Sequence, residues 1–357
     1  MNRLQSLDFL RAVAILLVLL MHVESNPVFI QMGWIGVDLF FVLSGFLVTG
    51  MLMKEYLVNG FMRVRYFLIR RGFKIYPMFY ILLCFHLFYY YFKGNPPAVS
   101  QILAEVFFLQ NYFHGIMGVS WSLAVEEHFY YLTAVFILIA RFWNFFYTRK
   151  AIPFVAGFVL ILCLFLRVLV WQQGGYNGMY VNYTPTHLRL DSISMGVLIA
   201  YFYSFYQKEF LAFHKMYFFW LLLLSVCMIL PVFYFARNSM FVNTIGYTLL
   251  ASGFGVIVAI SVCYAGWVQR LKRNRGLNWL LQILLKIGTC SYAIYLSHFL
   301  FGAIVVNKIR MNEVVGFSHF PLVIIYLAFC IILGILLTNF IEKPFLSIRD
   351  RYFPSPY

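Results

Sequence analysis

Apolar residues return along the chain in runs of about 20, each closed by a short polar or charged segment, at 7–24, 34–53, 74–92, 119–140, 152–171, 187–206, 217–236, 243–266, 287–307 and 321–342. A helix needs ~20 apolar residues to cross the hydrocarbon of a bilayer, and its backbone must be satisfied internally there. The pattern predicts an all-α polytopic membrane bundle of about ten transmembrane helices, forming one domain over residues 1–357. The stretch 99–113 is amphipathic instead, and is read as a partial or interfacial helix. The first run is followed by "HVESNP", with no small-residue cleavage site, and is read as a retained span.

Composition agrees with this solvent: 63% of residues are hydrophobic, 21% aromatic and only 11% charged. Lysines and arginines sort by side. Alternate loops, with Arg3, hold 20 of the 27, and the opposite loops hold only Lys93, Arg237, Lys308 and Arg310. Positive charge accumulates on the cytoplasmic side, so both termini are expected there, in a multi-pass protein of the inner (plasma) membrane. The net charge of +15 is then topological bias plus attraction to anionic membrane lipids, and nothing points to nucleic acid. Six scattered cysteines lack metal-ligand spacing, no metal site is expected, and no phosphate-binding or dinucleotide glycine fingerprint occurs. Composition says nothing of oligomeric state.

Ionisable residues inside spans cost about 2.5–3.5 kcal/mol each on insertion scales, which makes them functional candidates. Arg11 and His22 are eleven positions apart. Eleven steps of about 100° bring both to one helix face, about 16 Å apart in height. Either they serve a common path, or Arg11 snorkels to headgroups and His22 marks the helix end. Asp38, at a depth similar to His22, either hydrogen-bonds that imidazole or caps its own helix, and the short connection favours the pairing. Ser44, Gly45 and Gly50 are read as small residues for close helix packing. Arg70, Arg71 and Lys74 are ordinary positive-inside residues or a grip for phosphates, within reach of Arg11. "VSWSLAVEEHFYYL" contributes Trp121, Glu126, Glu127 and His128, with one of the two carboxylates expected to face inward. His187, Arg189 and Asp191 mark the outer rim of the sixth span, where Arg189 and Asp191 could pair. Tyr292, Tyr295 and His298 lie on the ninth span and Glu342 ends the tenth.

Taken in order, "SLDFLRAVAILLVLLMH", "GWIGVDLFFVLSGFL", "RRGFKIYP", "SWSLAVEEHFYYL", "RLDSISMG", "SYAIYLSH" and "EKP" resemble the acyltransferase-3 family of membrane O-acyltransferases that modify sugars. The resemblance spans nearly the whole chain. It implies transfer of an acyl group, acetyl by default, from cytoplasmic acyl-CoA to a hydroxyl of a sugar or of a cell-surface or lipid-linked glycan, with no permanently bound cofactor. The family's arginine and histidine fall on Arg11 and His22, and its paired basic motif on Arg71 and Lys74. Lys74 departs from the usual arginine and gives up the bidentate fork. Its tryptophan and following glutamate fall on Trp121 and Glu126, and its carboxy-terminal glutamate on Glu342. Some members continue into an extracellular hydrolase-like domain. None is expected here, so any second transfer step would need a separate protein.

Joined to that resemblance, the residues imply a mechanism. Arg11, Arg70, Arg71 and Lys74 would hold the CoA phosphates. His22 would act as general base or transient acyl carrier, with Asp38 or Glu126 orienting it. Trp121, Arg189, Tyr292, His298 and Glu342 would contact the acceptor or the oxyanion. Two other classes stand beside it. A transporter could use His22, Asp38 and His298 as a proton relay, and a structural or receptor protein could use its polar residues as helix glue. Consumption of a thioester separates the first reading from both.

Overall fold

The computed structural model describes residues 4–22, 32–142, 151–299 and 319–355. The chain is an all-α membrane bundle. Its principal helices are α1 (Gln5–Met21), α2 (Ile35–Asn59), α3 (Val64–Phe92), α4 (Val99–Val106), α5 (Trp121–Phe142), α6 (Ala151–Gln172), α7 (Leu190–Phe205), α8 (Gln207–Met216) and α9 (Phe218–Ile229). After them come α10 (Tyr247–Cys263), α11 (Arg275–Thr289), α12 (Ser291–Phe299), α13 (His319–Leu337) and α14 (Lys343–Tyr352). Single π-turns join onto α10 at Val242–Gly246 and link α13 to α14 at Thr338–Glu342.

Among the described residues, six helices are long and apolar enough to cross a membrane, or up to eight if each of two bent pairs is one span. Helix α1, with 17 residues, and α7, with 16, are apolar but shorter. The expected straight span at 287–307 is instead a corner, where α11 and α12 meet at 68°; its residues 300–307 lie outside the described residues. A second corner of 81° separates α8 from the helix that follows it. Both corners have the same origin: "QKEFLAFHKM" and "RGLNWLLQILLKIGT" carry charge on one face and apolar residues on the other, so they suit a bilayer surface and not its interior. Asn274 starts α11 as its N-cap, its side chain accepting from the N–H groups of Gly276 and Leu277.

Helix α3 starts ten residues before the apolar run at 74. Arg and Lys are good helix formers, so the charged turn continues the helix beyond the apolar part, and Arg70, Arg71 and Lys74 sit on its body. Pro77, one turn further on, lacks a backbone N–H for the helical ladder.

Helices α1, α2, α7 and α10 form the buried centre. Lipid gives helices no hydrophobic reason to associate, so contact depends on close backbone approach at small residues. At the α2–α7 crossing, a Cβ on Gly45 would lie 2.0 Å from the Ile193 carbonyl oxygen, and one on Gly196 would lie 2.1 Å from that of Val42. At Gly36, where α2 meets α1, a Cβ would lie 2.4 Å from the Ala14 carbonyl oxygen.

Two ion pairs tie α7 to α2 and to α6. Arg189 donates from Nη2 to Asp38 Oδ1 at 2.6 Å, and Arg167 from Nη2 to Asp191 Oδ2 at 2.7 Å, with all four side chains fully buried. Ser192 adds its hydroxyl to Asp38 Oδ1 at 2.9 Å. These pairings correct two sequence expectations. Asp38 bonds Arg189 and Ser192 where the sequence favoured His22, and Asp191 takes Arg167 where the sequence offered Arg189. Two steps along a helical path turn a side chain by about 200°, so Arg189 and Asp191 face opposite ways, toward α2 and α6.

Breaking one side of such a pair leaves a buried charge uncompensated, at a cost of about 3–5 kcal/mol. Asp38→Leu is therefore expected to lower the melting temperature in detergent sharply, and Asp38→Leu combined with Arg189→Met to recover much of the loss. Gly196→Val, which forces the α2–α7 crossing apart, is expected to abolish a monodisperse size-exclusion peak.

Candidate active site

Three adjoining hollows at one end of the bundle share Arg11, Leu47 and Lys74. One is lined by Arg11, Lys54, Arg70, Arg71, Lys74 and Arg349 together with Leu47, Gly50 and Met51, and no carboxylate. A second adds Lys286 and Lys343 but also Asp8 and Glu342. The third runs inward and changes character along its walls from Arg11, Arg71 and Lys74 to Ser44, Ser122, Glu126, Tyr130, Tyr292 and Tyr295. Ser44 and Gly50 line these hollows, whereas Gly45 does the helix packing expected of all three.

The cations of this basic end are held differently. Lys74 is ion-paired with Glu342, and its Nζ lies 5.7 Å above the Tyr292 ring. Arg70 donates to the Phe353 carbonyl and sits 3.3 Å from Asp350. Arg11 has Asp8 at 3.6 Å, one turn below it on α1. Arg71 stacks over Tyr130 at 5.0 Å, and its Nε is buried without a partner among the described residues. A guanidinium edge of that kind is suited to an anionic oxygen. Glu342 thus belongs to the basic end as the partner of Lys74, and Tyr292, donating to the Ile75 carbonyl at 2.8 Å, forms the wall beside it.

Further in, Glu126 accepts from Tyr130 at 2.7 Å, and the Tyr130 oxygen lies 3.1 Å from Ser44 Oγ. Glu127, the next residue and about 100° around the helix, accepts from Tyr76 at 3.0 Å and does not line the cavity. Glu127 is nevertheless buried, so both carboxylates face the protein, against the expectation of one, and only Glu126 reaches the cavity. The register of α5 is fixed by a residue the sequence did not single out: buried Glu105 accepts from the N–H groups of Ile116 and Met117, at 2.9 and 2.8 Å, and from Ser120 Oγ at 3.0 Å. Its only signal was a lone acid on an amphipathic turn.

Tyr295 links the cavity to a pair of histidines. Its hydroxyl donates to the Val119 carbonyl at 2.8 Å and meets Ser122 Oγ at 2.7 Å, and its ring lies 5.6 Å from that of His298. His298, fully buried on α12, approaches His22 with ring centroids 4.8 Å apart and Nε2 3.3 Å from His22 Nδ1. Arg11 and His22 thus occupy two stations of α1, one on the basic cavities and one against His298.

Trp121 lies apart from the histidines' contacts, packed on Tyr183 at 4.7 Å and Phe41 at 6.1 Å. Arg189 sits between Tyr247 and Tyr183, at 4.3 and 4.8 Å, in the same aromatic group. Arg237, counted in the sequence only as a loop charge, stacks over Tyr183 at 4.5 Å and Trp34 at 5.4 Å. No group of three or more metal-ligating side chains occurs among the described residues. The arrangement offers anion binding at one end and a base deeper in the bundle, along a path lined by hydroxyls.

Comparison with known proteins places the chain in a family. The profile of the acyltransferase-3 family, described as "Acyltransferase domain", matches residues 4–339. The chain is 27% identical over 400 residues to "Putative O-acetyltransferase SAR0937" of Staphylococcus aureus, covering 99% of this chain and 60% of that protein. It is 25% identical over 321 residues to "Peptidoglycan O-acetyltransferase OatA" of Listeria monocytogenes, covering 82% of this chain and 48% of the relative. With "Putative peptidoglycan O-acetyltransferase YrhL" of Bacillus subtilis the identity is 26%, over 98% of this chain and 55% of the relative. The chain therefore spans about half to three fifths of the length of these relatives. No solved structure matches it. The family profile covers nearly all of the described bundle, the inward cavity and the histidine pair included, and the chain belongs to the acyltransferase-3 family of membrane acyltransferases.

Proposed function

We propose that the chain transfers an acyl group, acetyl in the first instance, from acyl-CoA at the basic end to a hydroxyl of a cell-envelope glycan, with peptidoglycan sugars as the leading acceptor class. The observation that carries this reading is the inward cavity, which begins at Arg11, Arg71 and Lys74 and continues past Glu126 to Tyr295, the neighbour of His298. The acceptor class rests on the names of the Listeria and Bacillus relatives.

In this reading the basic end faces the cytoplasm, as the positive-inside rule requires, and the protein lies in the plasma membrane. The CoA phosphates lie on the carboxylate-free hollow between Arg11, Lys54 and Arg71, with Arg70 at its rim. Lys74 is already matched by Glu342, so it shapes this surface more than it adds net charge. The thin pantetheine arm follows the inward cavity. The Arg11-to-His22 rise of about 16 Å along α1 gives that arm its depth. His22 then removes the proton of the acceptor hydroxyl as its oxygen attacks the thioester carbonyl. The O–C bond forms, the C–S bond breaks, and the proton passes to the departing sulfur. Such base catalysis is worth roughly 10²–10⁴-fold. Glu126 and Tyr130 line the path of the arm, and Asp38 serves the fold by holding Arg189.

With the full chain in liposomes, labelled acetyl-CoA and a soluble peptidoglycan fragment, His22→Ala is expected to lose both free-thiol release and label on the sugar. Thiol release that survives in that variant would remove His22 from the chemistry. Arg71→Ala is expected to raise the KM for acetyl-CoA by roughly 10–100-fold, the worth of a charge-assisted hydrogen bond, with little change in that for the acceptor. An equal change in both would count against the phosphate site.

A further inference from the structure

His22 needs an orienting partner, and neither carboxylate assigned to it from the sequence is free. Asp38 is engaged by Arg189 and Ser192, and Glu126 by Tyr130. The polar side chain that does reach His22 is an imidazole: His298 Nε2 lies 3.3 Å from His22 Nδ1.

The bonds around the two rings fix where their protons sit. His22 Nδ1 lies 2.9 Å from the Val18 carbonyl oxygen, and His298 Nδ1 lies 2.5 Å from that of Tyr295. A carbonyl oxygen only accepts, so each Nδ1 carries the hydrogen. His298 is fully buried, with no carboxylate bonded to it among the described residues, and an unpaired buried charge is too costly to hold. It is therefore neutral, and its Nε2 carries a lone pair. The His22 Nδ1–H is then shared between the Val18 carbonyl and His298 Nε2, and the lone pair of His22 is left on Nε2. The reverse assignment would point the Nδ1 lone pair of His22 at the Val18 oxygen.

We propose that His298 is the positioning residue for His22, accepting the Nδ1–H hydrogen bond that fixes the tautomer and ring orientation of the base. This inference rests on the reading of His22 as the general base and names the group that serves it. When His22 Nε2 takes the acceptor proton, its ring becomes an imidazolium. The bond from Nδ1–H to His298 becomes charge-assisted and strengthens in the transition state. His298 itself gains and loses no proton. Its own Nδ1–H stays on the Tyr295 carbonyl, so α12, whose Tyr295 also lines the cavity, sets the geometry of the base on α1. Tyr295, in turn, is held by Val119 and Ser122 at the start of α5.

The test uses the purified full chain in liposomes, with acetyl-CoA and an N-acetylglucosamine oligosaccharide as probes, reading thiol release for His22→Ala, His298→Leu and His298→Gln. A glutamine places an oxygen near the position of Nε2 and keeps an acceptor; leucine fills the space without one. His298→Leu is expected to lower kcat on the order of 10²-fold while leaving the donor KM near the wild-type value, and His298→Gln to remain within about tenfold of wild type. Unchanged kcat in His298→Leu, loss confined to KM, or equal loss in the leucine and glutamine variants would overturn the proposal. A second measurement needs no altered His298. In 15N-histidine-labelled wild-type protein, the signals lost in His22→Gln are expected to report a protonated Nδ1 and a bare Nε2, and the opposite tautomer would sink the assignment. Full activity in His22→Ala would instead defeat the reading of the base, whereas an inactive His22→Ala beside a normal His298→Leu would defeat the positioning role alone.

Discussion

A charge inside a bilayer must find an opposite charge or an open cavity, and this constraint divides the buried and cavity-lining cations of the bundle into two populations. Arg167, Asp191, Arg189 and Asp38 are fully buried and matched with each other, so they fasten α2, α6 and α7 without needing solvent. Arg11, Arg71 and Lys74 instead border hollows open enough to receive a ligand. The histidine pair is a third arrangement. Two neutral imidazoles satisfy each other and two helix carbonyls, and they leave a ring nitrogen for chemistry.

Helix α1 connects these populations. It packs closely against α2 at Gly36, so its position is set by backbone contact and not by adaptable side chains. The same helix carries Arg11 on the basic hollows and His22 against α12. A rigid rod with a cation at one station and an imidazole at another fixes the distance between a held phosphate and a reacting carbonyl. That separation favours a long, thin donor with a charged head.

The sequence revealed what depends on local pattern. Helical class and the basic cluster of α3 follow from periodicity and hydropathy. It failed where partners come from distant helices. Asp38 was matched with His22 on the strength of a short connection, yet the longer reach of Arg189 and the added hydroxyl of Ser192 claim it. The corner at α11–α12 was hidden because one apolar run continues through it, and only the charged face of α11 betrays the turn. Glu105 and Arg237 carried no motif. Their roles come from the turn at 116–120 and from the aromatic rings of Trp34 and Tyr183, which only folding assembles.

The account stands on one spatial claim: a donor anchored at the basic end presents its acyl carbon to His22. Its most direct test is a cryo-EM structure with an acetyl-CoA analogue in which the thioester sulfur is replaced by a methylene. The account predicts phosphate density against Arg11 and Arg71, the arm along the cavity beside Glu126 and Tyr295, and the acyl carbonyl within hydrogen-bond reach of the His22–His298 pair. Nucleotide density at the opposite end, or an acyl group remote from His22, would contradict it.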